Sequence, residues 1–234
     1  MGMRKVKIAQ LYPDELNLYG DIGNVICLYY RLKKRGYNAE VEKINIGDKL
    51  AEFDILVIGG GQDREMNIVA SDLRKKSRML SYCVNSGKCV FAVCAGFQLL
   101  GNYYVNQKGE KLNLSSALDF YTVAGEKRMI GNFVYETPFG RIAGFENHSG
   151  KTYLSPELQP LGRVISGFGN NGEDSGEGLL FKNTFATYAH GAVLPKNPAL
   201  ADEIIKRALG GAELEELDDS LEKLCHNQLI ERFS

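Results

Sequence analysis

The chain has almost no surplus charge: 28 Lys and Arg stand against 29 Asp and Glu, a net charge of −1. That balance excludes the basic field on which nucleic-acid binding draws, and short clusters such as Arg31-Leu32-Lys33-Lys34-Arg35 read as solvated helix ends. No apolar run approaches the ~18 residues of a membrane span. The first residues, Met1-Gly2-Met3-Arg4-Lys5-Val6, hold neither a signal-peptide core nor the serine or threonine of a myristoylation site. A cytoplasmic protein that is not integral to a membrane is expected. Cysteine is sparse and unpaired, with five residues, an odd number, and no C-x-x-C spacing. Both a disulfide framework and a zinc ribbon are therefore disfavoured, and no metal site is expected. Only three histidines occur, so chemistry that needs an imidazole has few candidates.

A phosphate-binding loop is also missing, although one stretch imitates it. "GFENHSGKTYL", residues 144–154, ends in Ser-Gly-Lys-Thr, but five residues rather than four separate Gly144 from Gly150. Thr152, Tyr153 and Pro156 then oppose the long helix whose first turn would cradle a phosphate. No nucleotide is expected on this chain.

What is present alternates in period. Val6 to Tyr12 reads as a strand ended by Pro13, "NVICLYYRLKKRG" as a helix closed by Gly36, and "YNAEVEKINI" as an edge strand. "FDILVIGGG" and "KCVFAVCAG" are short, nearly continuous apolar runs, the mark of parallel strands covered on both faces. They bracket a helix over residues 66–87, and a further helix is expected over residues 97–104. The pattern predicts an α/β fold with a doubly wound, mostly parallel sheet whose site lies at the strands' carboxyl ends. After about Leu118, short segments split by Gly, Asn and Pro predict antiparallel hairpins, with an exposed loop over residues 169–178. The end, "AELEELDDSLEKLCHNQLIERF", predicts an amphipathic helix packed on the body. One domain over residues 1–234 is expected, with a core at about 5–195 and C-terminal helices at about 199–232.

Within this frame Cys94 stands apart. It follows a buried strand, with Ala92 before it and Ala95 and Gly96 after, the small residues that a sharp strand-to-helix turn needs to expose a nucleophile. The start of the next helix favours a thiolate there. The alternative is an inert core cysteine. A thiolate needs an acid or base within reach. His226 lies on the last helix beside Cys225, whereas His190 ends an apolar strand in "FATYAHGAVLP" and His148 sits in the stretch quoted above. His190 and His148 remain rivals on position alone.

These residues carry a resemblance. "AVCAGFQ" at residues 92–98 resembles the G-x-C-x-G-x-Q elbow of class I glutamine amidotransferases. "TYAHG" at residues 187–191 resembles the T-Y-x-H-G of their cobyric-acid-synthase-like branch, and "ENHSG" at 146–150 the Glu-x-His-x-Gly that precedes it. "YPDELNLYGDIGN" and "GGGQDRE" narrow the likeness to the glutaminase subunits of lipid II isoglutaminyl synthases, over roughly Gln10 to Pro195. The resemblance implies Cys94 as nucleophile, His190 as acid and base, and Arg128 as the glutamine-binding residue. The oxyanion is then expected on the amide of Ala95 and on that of one glycine of Gly59-Gly60-Gly61, Gly60 foremost, because glycine allows a close approach. The resemblance further implies glutamine as substrate and a Mur-ligase-like partner in a heterodimer. That partner would hold ATP and metal and amidate the stem-peptide D-glutamate of lipid II, leaving no cofactor on this chain. Two departures stand out. Ala92 replaces a glycine, and Ala192 occupies the place of the glutamate that usually follows the histidine by two. Either a Cys-His dyad operates, or an acid from elsewhere, including the partner, orients His190. A cobyrinate-type glutaminase, a free-standing γ-glutamyl cysteine hydrolase and a non-catalytic binding module are the alternatives.

Overall fold

The computed structural model describes residues 4–234. In chain order the elements are β1 (Lys5–Leu11), α1 (Ile22–Lys34), β2 (Asn38–Ile44), β3 (Ile55–Ile58), α2 (Asp63–Asn85), β4 (Cys89–Val93), α3 (Ala95–Leu99), β5 (Tyr103–Val105) and β6 (Lys111–Asn113). There follow β7 (Phe120–Thr137), β8 (Gly140–Leu154), β9 (Gly162–Ser166), β10 (Gly176–Glu177), β11 (Leu179–Phe181), β12 (Thr184–Thr187), α4 (Val193–Lys196), α5 (Pro198–Ala208) and α6 (Ser220–Phe233).

The first sheet runs β11-β12-β4-β3-β1-β2, parallel throughout except at the β11 edge. Its central strands are covered on both sides: every residue of β3, β4 and β12 is buried. The chain moves from β1 outward to β2, then from β3 the other way to β4. Because such crossovers are right-handed, the reversal places α1 and α2 on opposite faces. It also opens a crevice between the carboxyl ends of β1 and β3, where open α/β sheets bind ligands. The expected doubly wound α/β sheet is thus observed.

A second sheet, β10-β9-β7-β5-β6 with β8 paired to β7, leans over that edge. Four sequence expectations are corrected here. The several short strands expected between Leu118 and Leu154 are one long antiparallel hairpin, β7 with β8, irregular between Ala124 and Met129. The helix after Cys94 stops at Leu99, and Tyr103 to Val105 pair as a strand instead. Residues 169–178 are exposed only at their tip; Asn170, Asn171 and Glu177 are buried, because Asn170 bonds Gly178 in both directions and closes the loop. The last helix begins only at Ser220; it rests on β7, β8 and α4 with His226, Leu229 and Ile230 half-buried, and leaves Leu221 and Leu224 exposed. No helix among the described residues is long and apolar enough to cross a membrane.

Candidate active site

Four consecutive parallel strands deliver their carboxyl ends to one place, which is why residues far apart in sequence meet there. After β4, Cys94 adopts φ 49° and ψ −106°. A non-glycine residue rarely tolerates that conformation, which costs roughly 1–3 kcal/mol and marks nucleophile elbows. The elbow closes tightly on β3: a Cβ on Gly96 would lie 2.4 Å from the Ile58 carbonyl oxygen and 2.8 Å from that of Gly59. Only glycine fits there. On the other side the Cys94 amide donates to the Thr187 carbonyl at 2.8 Å, tying the elbow to β12.

The segment after β12 is bent by its own side chain. Thr187 Oγ1 donates to Glu177 Oε1 (2.6 Å) and accepts from the Ala189 amide (2.9 Å), while the His190 amide donates to the Phe145 carbonyl (2.8 Å). The imidazole is wholly buried; its Nε2 has no hydrogen-bond partner among the described residues, and its Nδ1 lies 3.3 Å from Asp21 Oδ2. Burial pushes the His190 pKa down, but the adjacent Cys94 sulfur and the Asp21 carboxylate outweigh it and lift the value to about 10. The protonated ring is therefore favoured at neutral pH. Of the two rival histidines, His190 is the one placed against Cys94.

Asp21 was not singled out from the sequence. It precedes α1 and reads as an ordinary helix-capping aspartate, yet its side chain caps nothing in α1. The Ile22 amide is satisfied instead by Asn17 Oδ1 at 2.8 Å. Asp21 turns inward, is 1% exposed, and accepts the Gly60 amide at 2.7 Å as well as facing His190. The Gly60 N–H, expected at the oxyanion, is therefore engaged by Asp21. Gly61, its neighbour, lines the cleft.

That cleft encloses about 320 Å³ and brings Cys94, Gln98, Tyr104, Arg128, Asn147 and His148 together with Gly61 and Asp63. The second sheet contributes its far wall. Arg128 on β7 donates to Asn147 Oδ1 at 2.9 Å, Asn147 in turn donates to the Tyr19 hydroxyl, and the Tyr19 ring meets His190 edge-on at 5.1 Å. Arg128 thus sits at the mouth with donors free for a carboxylate. His148 is buried beneath it, its Nδ1 bonded to the Gly150 carbonyl at 2.8 Å and its ring stacked on Tyr188 at 3.6 Å. The Tyr188 hydroxyl joins Gln98 and Thr152, so the residues of "TYAHG" and "ENHSG" brace one another behind the nucleophile. Among the described residues no group of three or more His, Cys, Asp or Glu is arranged to hold a metal.

A buried thiol on a strained elbow, an imidazole against it and a polar cleft of amino-acid size suit a glutamine-hydrolysing amidotransferase. The fold agrees: PurLQS from Thermotoga maritima superimposes with a TM-score of 0.60 at 17% identity, covering 88% of this chain and 98% of its own. Residues 7–198 match the CobB/CobQ-like glutamine amidotransferase domain, and the chain belongs to that family. Two relatives share 39% identity. The "Lipid II isoglutaminyl synthase (glutamine-hydrolyzing) subunit GatD" of Staphylococcus aureus (strain N315) aligns over 98% of this chain and 97% of its own length. That of Streptococcus pneumoniae (strain ATCC BAA-255 / R6) aligns over 88% and 81%.

Proposed function

We propose that this chain is the glutamine-hydrolysing subunit of a lipid II isoglutaminyl synthase, supplying ammonia for peptidoglycan synthesis. The observation that carries the chemistry is Cys94 on its positive-φ elbow beside the buried imidazole of His190. A cationic imidazole favours a neighbouring thiolate. The Cys94 sulfur attacks the side-chain amide carbon of glutamine, whose carboxylate Arg128 holds at the cleft mouth. The oxyanion falls to the Ala95 amide, in the first turn of α3 where N–H groups have no helical acceptor, and to Gly61. His190 gives its Nε2 proton to the departing amine, releasing ammonia and leaving a γ-glutamyl thioester. The neutral ring then takes a proton from water, whose oxygen attacks the thioester; glutamate departs and the thiolate–imidazolium pair is restored. One glutamine and one water give one glutamate and one ammonia.

The acceptor chemistry belongs to a Mur-ligase-like partner in this reading. Using ATP, that subunit activates the α-carboxyl of the stem-peptide D-glutamate of lipid II, and ammonia from Cys94 converts it to D-isoglutamine. The two relatives at 39% identity, both named as synthase subunits, support this assignment over a free-standing hydrolase. The test is a bypass. In the reconstituted complex, Cys94→Ala should lose glutamine-dependent amidation and keep amidation from a supplied ammonium salt, because only ammonia production is removed. Failure of high ammonium to support an intact mutant complex, or ATP-dependent lipid II amidation by this chain alone, would overturn the division of labour.

A further inference from the structure

We infer that Asp21 is the positioning acid of the site: one carboxylate oxygen fixes the His190 ring and, through the Gly60 amide, the loop that flanks the oxyanion. The inference rests on the Cys94 and His190 roles given above, and it supplies the group that Ala192 leaves absent from its usual place two residues after His190.

Four observations converge. First, Asp21 Oδ2 faces His190 Nδ1 at 3.3 Å and accepts the Gly60 amide at 2.7 Å, so a single atom holds both walls of the site. Second, the local reason for an aspartate before a helix is absent, since its side chain makes no capping hydrogen bond to α1. Third, the carboxylate is 1% exposed and its Oδ1 has no partner. Burying a half-satisfied carboxylate works against stability, which is unexplained by folding and expected of a group kept for its charge. Fourth, the surroundings are cut to admit the contact: a Cβ on Gly60 would lie 2.3 Å from His190 Cε1 and 2.9 Å from Asp21 Oδ2.

Asp21 reaches His190 because it follows β1, on the far side of β3 from β4, at the reversal of strand order. With Nδ1–H directed at Asp21, Nε2 is the nitrogen left for proton transfer to the leaving amine. The other charged group nearby is Lys196, half-buried, whose own pKa burial pushes down despite the Asp21 charge. Its Nζ lies on the Gly191 side and makes no ion pair with Asp21.

The experiment uses the complete complex and compares Asp21→Asn, Asp21→Glu and His190→Ala. Asp21→Asn offers Nδ1 an amide that can impose the wrong tautomer, so kcat for glutamine hydrolysis should fall by about 10²–10⁴ with KM little changed, the scale of such a change in a hydrolytic triad. The pH profile of Cys94 alkylation by iodoacetamide should shift with it, and Asp21→Glu should restore part of kcat. In the unsubstituted protein labelled with ¹⁵N-histidine, a downfield proton should appear on His190 Nδ1, a reading available even if Asp21→Asn folds poorly. A kcat within about threefold of wild type in Asp21→Asn, or no Nδ1 proton in the native protein, would overturn the inference. So would a loss of rate that only tracks lost fold, with the alkylation profile unmoved. If His190→Ala itself turns over normally, the Cys-His reading fails; if His190→Ala is dead while Asp21→Asn is active, only this inference does.

Discussion

A methyl group at Gly60 is a demanding test of how the site is held, because its consequences can be worked from distances. In Gly60→Ala the new Cβ would sit 2.3 Å from His190 Cε1, 3.0 Å from its Nδ1 and 2.9 Å from Asp21 Oδ2. Carbon atoms in contact rest at about 3.5–4.0 Å, so the ring must retreat by more than about 1 Å. The Gly60 loop cannot simply yield, for its amide is bound to Asp21 and its carbonyl accepts the Leu18 amide at 3.0 Å. The ring is pinned from behind by the bond from the His190 amide to Phe145 and by Tyr19. Overpacking of this kind costs about 1–3 kcal/mol of stability. A displacement of about 1 Å between catalytic groups costs about 10²-fold in rate. Gly60→Ala should therefore lower kcat for glutamine hydrolysis by about 10²-fold or more while the protein stays folded at 25 °C, measured as ammonia release beside thermal denaturation. Gly162→Ala is the control. Its Cβ would meet the Glu136 carbonyl oxygen at 2.3 Å and the Tyr135 ring at 2.9 Å, so it should lower Tm without touching kcat. A Gly60→Ala protein with kcat within about threefold of wild type would refute the claim that packing fixes His190. An equal loss of kcat in Gly162→Ala would show that overpacking alone explains it.

The other expectations follow from burial and charge. Cys94→Ser should abolish labelling by a glutamine-derived electrophile such as 6-diazo-5-oxo-norleucine, whereas Cys89→Ser should not, since burial pushes the Cys89 thiol up to about 12 and its sulfur is turned to the Ile204 carbonyl. Arg128→Lys should raise KM for glutamine more than it lowers kcat, because a point charge replaces a fork without changing the thiol–imidazole pair; an unchanged KM would remove Arg128 from substrate binding. Glu177 is raised by burial from 4.5 to about 8, so its folded state prefers the proton. That contribution to stability is fully present below the unfolded pKa and is lost as pH rises through about 8. Glu177→Gln should accordingly flatten the fall in Tm between mildly acid and mildly alkaline buffer. It should leave the part due to His190, whose raised pKa makes its stabilisation fade only as pH climbs from about 6.5 through about 10. An unaltered Tm profile in Glu177→Gln would mean that the side chain is ionised in the fold.

How much of this could be read from the residues depends on whether the signal was local. Cys94 announces itself, because an elbow requires small neighbours in fixed places along the chain, and the structure shows why Gly96 is one of them. The parallel strands were legible for the same reason: burial on both faces leaves continuous apolar runs. The second sheet was harder. Gly131 and the irregularity before Met129 break the alternation of β7 without ending it, so one ladder looked like several short strands. The C-terminal leucines misled about extent: Leu214 and Leu217 keep the 3.6-residue period but precede the helix, which starts only at Ser220. Arg128 carries no local mark and stood out only through family likeness. Asp21 has a local mark that points the wrong way, toward a helix cap.

That last failure says something about the design of the site. Non-glycine residues with positive φ number seven in the described chain, and three of them, Tyr19, Cys94 and Ala192, flank one imidazole. Tyr19 lies against the His190 ring, Cys94 beside it, and Ala192 two residues beyond it, close enough to Gly23 that a Cβ there would collide at 2.5 Å. Each such residue carries strain of roughly 1–3 kcal/mol that regular strands and helices avoid. The sheet supplies the means to hold it. Four parallel strands, each wholly or largely buried, end together and leave their connecting loops no room to relax. Strain, an uncapped aspartate and an orphaned carboxylate oxygen are concentrated where the strand order reverses, while the rest of the sheet follows the rules of local propensity. The same rigidity explains why the nucleophile, the acid and the residue that orients it can come from loops about 70 to 170 residues apart and still meet at hydrogen-bond distance.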